Sequence, residues 1–456
     1  MRINPQIFRE YDIRGIVGKD LTAEVVKMLG KSFGTYMISK GGNKVSVGRD
    51  NRLSSPKFKS ALIGGILSTG CDVIDIGLVP TPVMYFSLFN LDVDGGIVVT
   101  GSHNPPNFNG FKLAVGKTTI YGDQIKELGK IIKEDRFIEG KGTLYHQNIK
   151  DDYINYIKDR IDLKKKLKLV IDAGSGTAGL IAPKLLKEIG CEVIELYCEL
   201  DGTYPHHHPD PTVVEFVQDL VKKVKEEKAD LGIAYDGDAD RIGVIDDKGS
   251  IIWGDHLLIL FSRDILKKGR EKIIFEVKCS QALVDEIEKA GGEPIMWKTG
   301  HSLIKNKMIE EKAVLAGEMS GHIFFADNYY GYDDAIFASC RLVELLSESD
   351  KTISEMLSDI PKYFSTPEIR VDCTDERKFK IVDNIKDYFK KNYKTIDVDG
   401  VRILFTDGWG LVRASNTQPA IVLRFEGKTK ESLKNIKNRI LEKLSEYPSL
   451  AIPTDI

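Results

Sequence analysis

The sequence predicts an α/β protein: three repeated α/β domains with mixed, mostly parallel sheets, plus a smaller C-terminal α+β domain, around a central cleft. Three observations carry that reading. Amphipathic helical patterns alternate with short apolar strands through about residue 345, the pattern of βαβ units. A helix end, a glycine and a strand recur as "STGCDVIDIG" (68–77), "EIGCEVIELY" (188–197) and "KAGGEPIMWK" (289–298). Downstream of each, an apolar strand breaks into a polar loop: "GGIVVTGSHN" (95–104), "LGIAYDGDADR" (231–241) and "AVLAGEMSGH" (313–322). Three copies of one unit explain the preserved order. Because ligands gather at the carboxyl ends of strands in such sheets, all three loops are candidate site elements.

The units are expected at 1–148, 149–250, 251–363 and 364–456. The last differs in pattern. It has a helix, "DERKFKIVDNIKDYFKKNY", then a hairpin-like run with a turn signal at Asp407-Gly408, then a basic helix, "KESLKNIKNRILEKL". The length of 456 residues agrees with three or four units at roughly 100–200 residues each.

Charge and composition narrow the function. With 65 Lys+Arg against 68 Asp+Glu there is no basic field for nucleic acid or an anionic membrane. A phosphorylated substrate would need local basic pockets. No stretch approaches the ~20 apolar residues of a membrane span. Six scattered cysteines without a CxxC pair fit a reduced compartment. The opening "MRINPQIFREYDIRG" has no apolar h-region, so no secretory signal is expected and the protein is expected to be cytoplasmic.

The polar loops hold the chemistry. "VVTGSHNPPNFNGFK" displays Ser102 after a strand, either as a nucleophile or as a turn residue. "DGDADR" sets Asp236, Asp238 and Asp240 within five residues. Unit charges ~4 Å apart repel by about 4 kcal/mol at an effective dielectric of ~20, so the cluster favours a cation, and hard oxygens suit Mg²⁺. Arg241, next in sequence, suits a phosphoryl group. A phosphate on Ser102 would complete the metal shell, and Lys112 would neutralise it or move protons. "GEMSGH" supplies Glu318, Ser320 and His322, apt for vicinal sugar hydroxyls. "KTGHS" adds His301 and "EVKCS" adds Lys278 at further strand ends. "RASNTQP" gathers Arg413, Ser415, Asn416 and Thr417, a cradle for a phosphate monoester.

One motif points elsewhere. Gly174-x-Gly176-x-x-Gly179 follows a strand and precedes a helix, with Glu195 near the spacing of a ribose contact. That is the context of a dinucleotide fingerprint and keeps an NAD-dependent oxidoreductase open. The run His206-His207-His208 has the composition of a metal site.

Together "YDIRG", "TGSHNPP", "DGDADR", "GEMSGH" and "RASNTQP", in that order, resemble the α-D-phosphohexomutase superfamily, most closely its phosphomannomutase/phosphoglucomutase branch, over essentially the whole chain. The resemblance implies an isomerase that moves phosphate within a hexose, interconverting hexose 1-phosphate and 6-phosphate of mannose and/or glucose. It implies Ser102 as the phosphorylated nucleophile, Mg²⁺ on Ser102, Asp236, Asp238 and Asp240, and hexose 1,6-bisphosphate as intermediate and activator. The GEMSGH loop would read the sugar and the last loop would grip the unreacting phosphate. Tyr11, Arg14, Lys112, Arg241, Lys278, His301 and His322 match family active-site positions, and His103 beside Ser102 joins the catalytic set. Lys112 and His322 are the proton-transfer candidates.

The resemblance also gives the glycine turn no nucleotide role and makes the histidine run part of an "HHPDP" loop. Ala239 stands where family members often have glycine. The alternatives are a glucosamine-phosphate mutase, whose sugar and phosphate loops usually differ, a Mg²⁺-dependent sugar phosphatase, or the oxidoreductase. The partners expected are hexose phosphates, for a monomer or small homo-oligomer.

Overall fold

The computed structural model describes residues 3–416, 418–448 and 450. Its first three sheets share one strand order. In the first, Asp72–Leu78, Lys44–Arg49 and Gly95–Val99 run parallel and Phe108–Val115 returns antiparallel. The second repeats this with Glu192–Leu196, Lys168–Asp172 and Leu231–Tyr235, then antiparallel Ile242–Ile245. In the third, Glu293–Trp297, Lys272–Glu276 and Leu315–Gly317 are followed by antiparallel Ile323–Phe325. Each polar loop joins the third parallel strand to the return strand. The internal repeat is therefore structural, and it delivers three loops of equivalent position.

The loop-bearing strands Gly95–Val99 and Leu231–Tyr235 are buried at every residue. That is why they read as unbroken apolar runs: helices cover both faces of a parallel sheet. On the first sheet, helices Ala23–Ser39 and Ser55–Leu67 approach through glycine, since a Cβ on Gly30 would lie 2.2 Å from the Leu62 carbonyl oxygen. A single apolar cluster runs through all three units, joining Phe86 and Leu88 to Tyr153 and Leu185 and to Phe325 and Phe337. Burial on this scale, at roughly 25 cal/mol per Å² of apolar surface, makes the three units one packed body.

The fourth unit is a six-stranded antiparallel sheet packed against helices Asp375–Lys390 and Lys430–Ser445, with its own core around Ile385, Leu423 and Ile440. It docks on the third through Val277, Trp409 and Leu411. Buried Arg402 stacks 3.6 Å from the Trp409 ring centre and donates to the carbonyls of Val277 (2.9 Å) and Cys279 (2.7 Å). The hairpin turn lies one residue earlier than its sequence signal. Phe405 pairs with Gly408, so the two-residue loop is Thr406-Asp407. Gly408 is needed for clearance, because a Cβ there would meet the Glu426 carbonyl oxygen at 2.1 Å.

Candidate active site

Ser102 follows the strand Gly95–Val99 and takes a left-handed backbone, φ 48°, which costs a residue with a Cβ on the order of 1–2 kcal/mol. Arg52 holds the loop in that shape. Its fully buried guanidinium donates to the carbonyls of Ser102 (2.7 Å), Asn104 (2.5 Å), Pro105 (2.6 Å) and Phe108 (3.0 Å). Asp50 accepts from the Gly101 amide at 3.1 Å. The Ser102 hydroxyl, buried, donates to Asp236 Oδ2 at 2.8 Å and lies 3.1 Å from His103 Nδ1. Burial first, then the charges of Arg241 and Arg14, hold His103 well below the usual imidazole range. Arg14 reaches the same loop through Asn104 Oδ1 at 2.5 Å, with Asp12 as counter-charge.

Asp236, Asp238 and Asp240 are each 0% exposed, and one oxygen from each lies within 4.8 Å of the others. Burial and the neighbouring carboxylates raise Asp236 and Asp240 above the ordinary range. Lys112, on the return strand of the first unit, donates to Asp238 Oδ2 at 2.7 Å and also to Asp240. Thr81 donates to Asp238 Oδ2 at 2.6 Å. Asp238 Oδ1 and Asp240 Oδ1 are buried without a hydrogen-bond partner. Three convergent hard-oxygen donors with lone pairs to spare fit a divalent cation such as Mg²⁺. The loop turns through Ala239 at φ 61°, a left-handed position where glycine would be unstrained. Arg241 leaves it and donates from Nε to His322 Nε2 at 3.0 Å.

The third and fourth units close the other end. Glu318 accepts from the Gly300 amide at 2.6 Å and lies 3.4 Å from the Ser320 hydroxyl. Tyr11 donates to the Thr299 carbonyl and accepts from Asn416 Nδ2, both at 2.7 Å, so it ties the first unit to the third and fourth. Arg413 Nε donates to Asp399 at 3.0 Å, and Lys278 Nζ to Glu368 at 3.0 Å. Ser415 Oγ accepts from the Gln418 amide at 3.1 Å while buried Lys378 donates to the Ser415 carbonyl. Thr417 lies outside the described residues. His301 stacks beside His322, ring centres 5.6 Å apart. A chain of contacts through Lys112, Asp236, Arg241, His322, His301, Tyr11 and Asn416 therefore links site residues of all four units.

The glycine turn is corrected by its hydrogen bonds. The amides of Gly174, Ser175, Gly176 and Thr177 are given to Asp172 Oδ1 and to the carbonyls of Tyr197, Ala173 and Gly237. A pyrophosphate would find those donors spent. Glu195 pairs with Lys187 instead. The turn buttresses the aspartate loop. In the histidine run, His207 Nε2 is held by Asp172 at 3.0 Å and His206 stacks on Tyr197.

Several buried charges had no motif to mark them: Asp50, Arg52, Asp333 and Lys378. Lys305 alone carried a usable signal, four residues after His301 and therefore on the same face of one helix.

Comparison with known proteins agrees with this geometry. The phosphoglucomutase/phosphomannomutase models match in order: alpha/beta/alpha domain I at residues 5–139, domain II at 151–249, domain III at 253–364 and the C-terminal domain at 368–443. A phosphomannomutase/phosphoglucomutase of Pseudomonas aeruginosa is 46% identical over 452 residues, 98% of this chain and 97% of that one. A phosphoglucomutase of Neisseria meningitidis serogroup A is 42% identical over 98% of each. The crystal structure of a phosphoglucomutase/phosphomannomutase family protein from Burkholderia thailandensis superposes with a TM-score of 0.93 at 43% identity, covering 98% of this chain and 99% of that one. With four domain models in order and relatives alike from end to end, the chain belongs to the phosphoglucomutase/phosphomannomutase family.

Proposed function

We propose that the protein interconverts hexose 1-phosphate and hexose 6-phosphate, of mannose and/or glucose, through phospho-Ser102 and a bound hexose 1,6-bisphosphate. The observation that carries this is the pairing of two unlike ends in one cleft. At one end Ser102 meets three buried carboxylates; at the other stand Arg413 and Lys278. A phosphatase needs only the first end. A mutase needs both, because one phosphate must be held while the other reacts.

In the forward half-reaction the Ser102 Oγ–P bond breaks as a bond forms from phosphorus to a sugar hydroxyl oxygen. The hydroxyl proton passes to a base, and the departing serine oxygen takes a proton. The bisphosphate then turns, and the other phosphoryl group returns to Ser102 by the reverse exchange. Burial works against the charge on Lys112, yet Asp238 and Asp240 outweigh it and hold the ammonium above its ordinary range, so Lys112 stands as a fixed positive charge beside the transferring phosphoryl group. His322, with a nitrogen that accepts from Arg241, suits the base. Magnesium held by Asp236, Asp238, Asp240 and Ser102 would polarise the phosphoryl group and stabilise charge on the serine oxygen. Arg14 and Arg241 orient the transferring group, Glu318 and Ser320 hold sugar hydroxyls, and Tyr11, Lys278, Arg413, Ser415, Asn416 and Thr417 form the distal phosphate grip. Enclosure by four units limits hydrolysis of the phosphoserine.

The test is direct. Purified protein is incubated with mannose 1-phosphate or glucose 1-phosphate, Mg²⁺ and a trace of hexose 1,6-bisphosphate. Hexose 6-phosphate is expected. Free phosphate as the main product would make it a phosphatase, and no product from either sugar would remove the proposal.

A further inference from the structure

His301 and His322 stand nearly parallel in the cleft, 23° between ring planes. One nitrogen of each faces a cation. Lys305 Nζ is 3.1 Å from His301 Nδ1, and Arg241 Nε is 3.0 Å from His322 Nε2. Ammonium and guanidinium nitrogens donate and cannot accept. His301 Nδ1 and His322 Nε2 must therefore both be lone pairs. Asp333 completes the pattern from beneath. Its Oδ1 takes Lys305 at 2.6 Å, and its Oδ2 is 3.2 Å from His322 Nδ1 and 3.6 Å from His301 Nδ1. With Nε2 accepting from Arg241, a neutral His322 keeps its proton on Nδ1, which lies beside Asp333 Oδ2 and, at 3.7 Å, Asp240 Oδ1 without a hydrogen bond to either. Burial and the Lys305 charge hold His301 well below the usual imidazole range. A neutral ring has one proton, and Lys305 leaves it only Nε2.

We propose that Lys305 and Asp333 are positioning residues that set the two imidazoles in opposite tautomers, His301 presenting an Nε2–H donor and His322 an Nε2 lone pair. The catalytic use of this arrangement rests on the mutase reading above; the tautomers themselves do not. A phosphoryl oxygen only accepts, so it is matched by His301. A reacting hydroxyl must surrender a proton, so it is matched by His322 once Arg241 turns from that ring to a phosphate. With like tautomers the paired rings would do one job twice.

The experiment is a long-range ¹H–¹⁵N correlation spectrum of the full-length protein labelled with ¹⁵N-histidine, assigned by the signals lost in His301→Gln and His322→Gln. Expected are a pyridine-type Nδ1 and pyrrole-type Nε2 for His301, and the reverse for His322. A wild-type spectrum with both rings in the same tautomer overturns the proposal, and this reading needs no variant of Lys305 to fold. In Lys305→Met, Asp333 is left to draw the His301 proton, so His301 is expected to switch to Nδ1–H while His322 stays as it was. Turnover should fall about 10- to 150-fold, the loss of one hydrogen bond to a charged group. Lys305→Arg should restore tautomer and rate together. A folded Lys305→Met protein with His301 unchanged also overturns it. If the wild-type spectrum is as expected but no hexose phosphate is converted, the mutase reading falls and the tautomer assignment stands.

Discussion

Around Ser102 the wall is made of buried charges that share several close partners, whereas around Arg413 each cation makes one close ion pair, at 3.0 Å. At the first end Lys112 meets two aspartates, Asp236 meets Ser102, and Asp333 faces Lys305, His301 and His322. Every one of these groups is buried, and removing one leaves several without a counterpart. At the second end, Arg413 holds Asp399, and Lys278 holds Glu368 with Glu276 further off at 3.8 Å. A phosphate dianion arriving there has fewer close ion pairs to displace than at the first end. The first end is built to hold one geometry, and the second to exchange partners. For a substrate that must present each of its ends in turn, that is the useful division.

The largest effect expected lies at the fixed end. Ser102→Ala should lower turnover by several orders of magnitude and abolish the single phosphate detectable by intact-mass analysis, while the protein still folds, since Arg52 holds the loop through carbonyls that alanine retains. Near-normal turnover would show that phosphate is handled without a serine nucleophile. Next in size is the metal. Asp238→Asn should weaken Mg²⁺ activation by at least about 10- to 100-fold, the loss typical even of an outer-shell partner. Excess chelator should stop the wild-type enzyme and added Mg²⁺ restore it; full activity in chelator would assign the aspartates to Lys112 alone.

The exchanging end predicts a smaller and differently shaped loss. Arg413→Ala removes a charge-assisted contact of about 1.5–3 kcal/mol, so efficiency should drop about 10- to 150-fold. If one cradle serves both phosphates, the loss appears in both reaction directions, and more bisphosphate escapes per turnover. An effect confined to one direction would mean that the two orientations use different grips.

The sequence exposed these two ends unequally. The repeat and the loops after each third strand were legible because period and burial act locally on the chain. Ser102, the aspartates and Glu318 were legible for the same reason, each sitting in a short loop of unusual composition. Arg52 was not, since nothing in "GRDNRLSS" says that a guanidinium will turn inward to four carbonyls some fifty residues on. Arg402 was hidden likewise: its partners, the carbonyls of Val277 and Cys279, belong to another unit. The glycine turn misled because a turn packed on protein and one packed on pyrophosphate need the same small residues. Only the destination of its amides separates them.

The smallest effect tests how firmly the fixed end is held. Ala239 takes a left-handed backbone, φ 61°, between the metal-binding candidates Asp238 and Asp240. Relief of that strain by Ala239→Gly is worth about 1–2 kcal/mol. Against it stand the freedom glycine gains in the unfolded chain, about 0.4–1 kcal/mol, and the loss of a fully buried methyl, about 0.8 kcal/mol. The sum lies within about 1 kcal/mol of zero. The loop is also fixed from outside: Thr81 and Lys112 hold Asp238, Ser102 holds Asp236, and the Ala335 amide donates to the Ala239 carbonyl. Thermal midpoint and Mg²⁺ activation constant in Ala239→Gly should therefore both stay near wild type, the latter within about fivefold by the same margin. A tenfold weaker Mg²⁺ response at unchanged thermal stability would mean that the aspartates depend on backbone stiffness at residue 239, and that the neighbouring units do not hold this end by themselves.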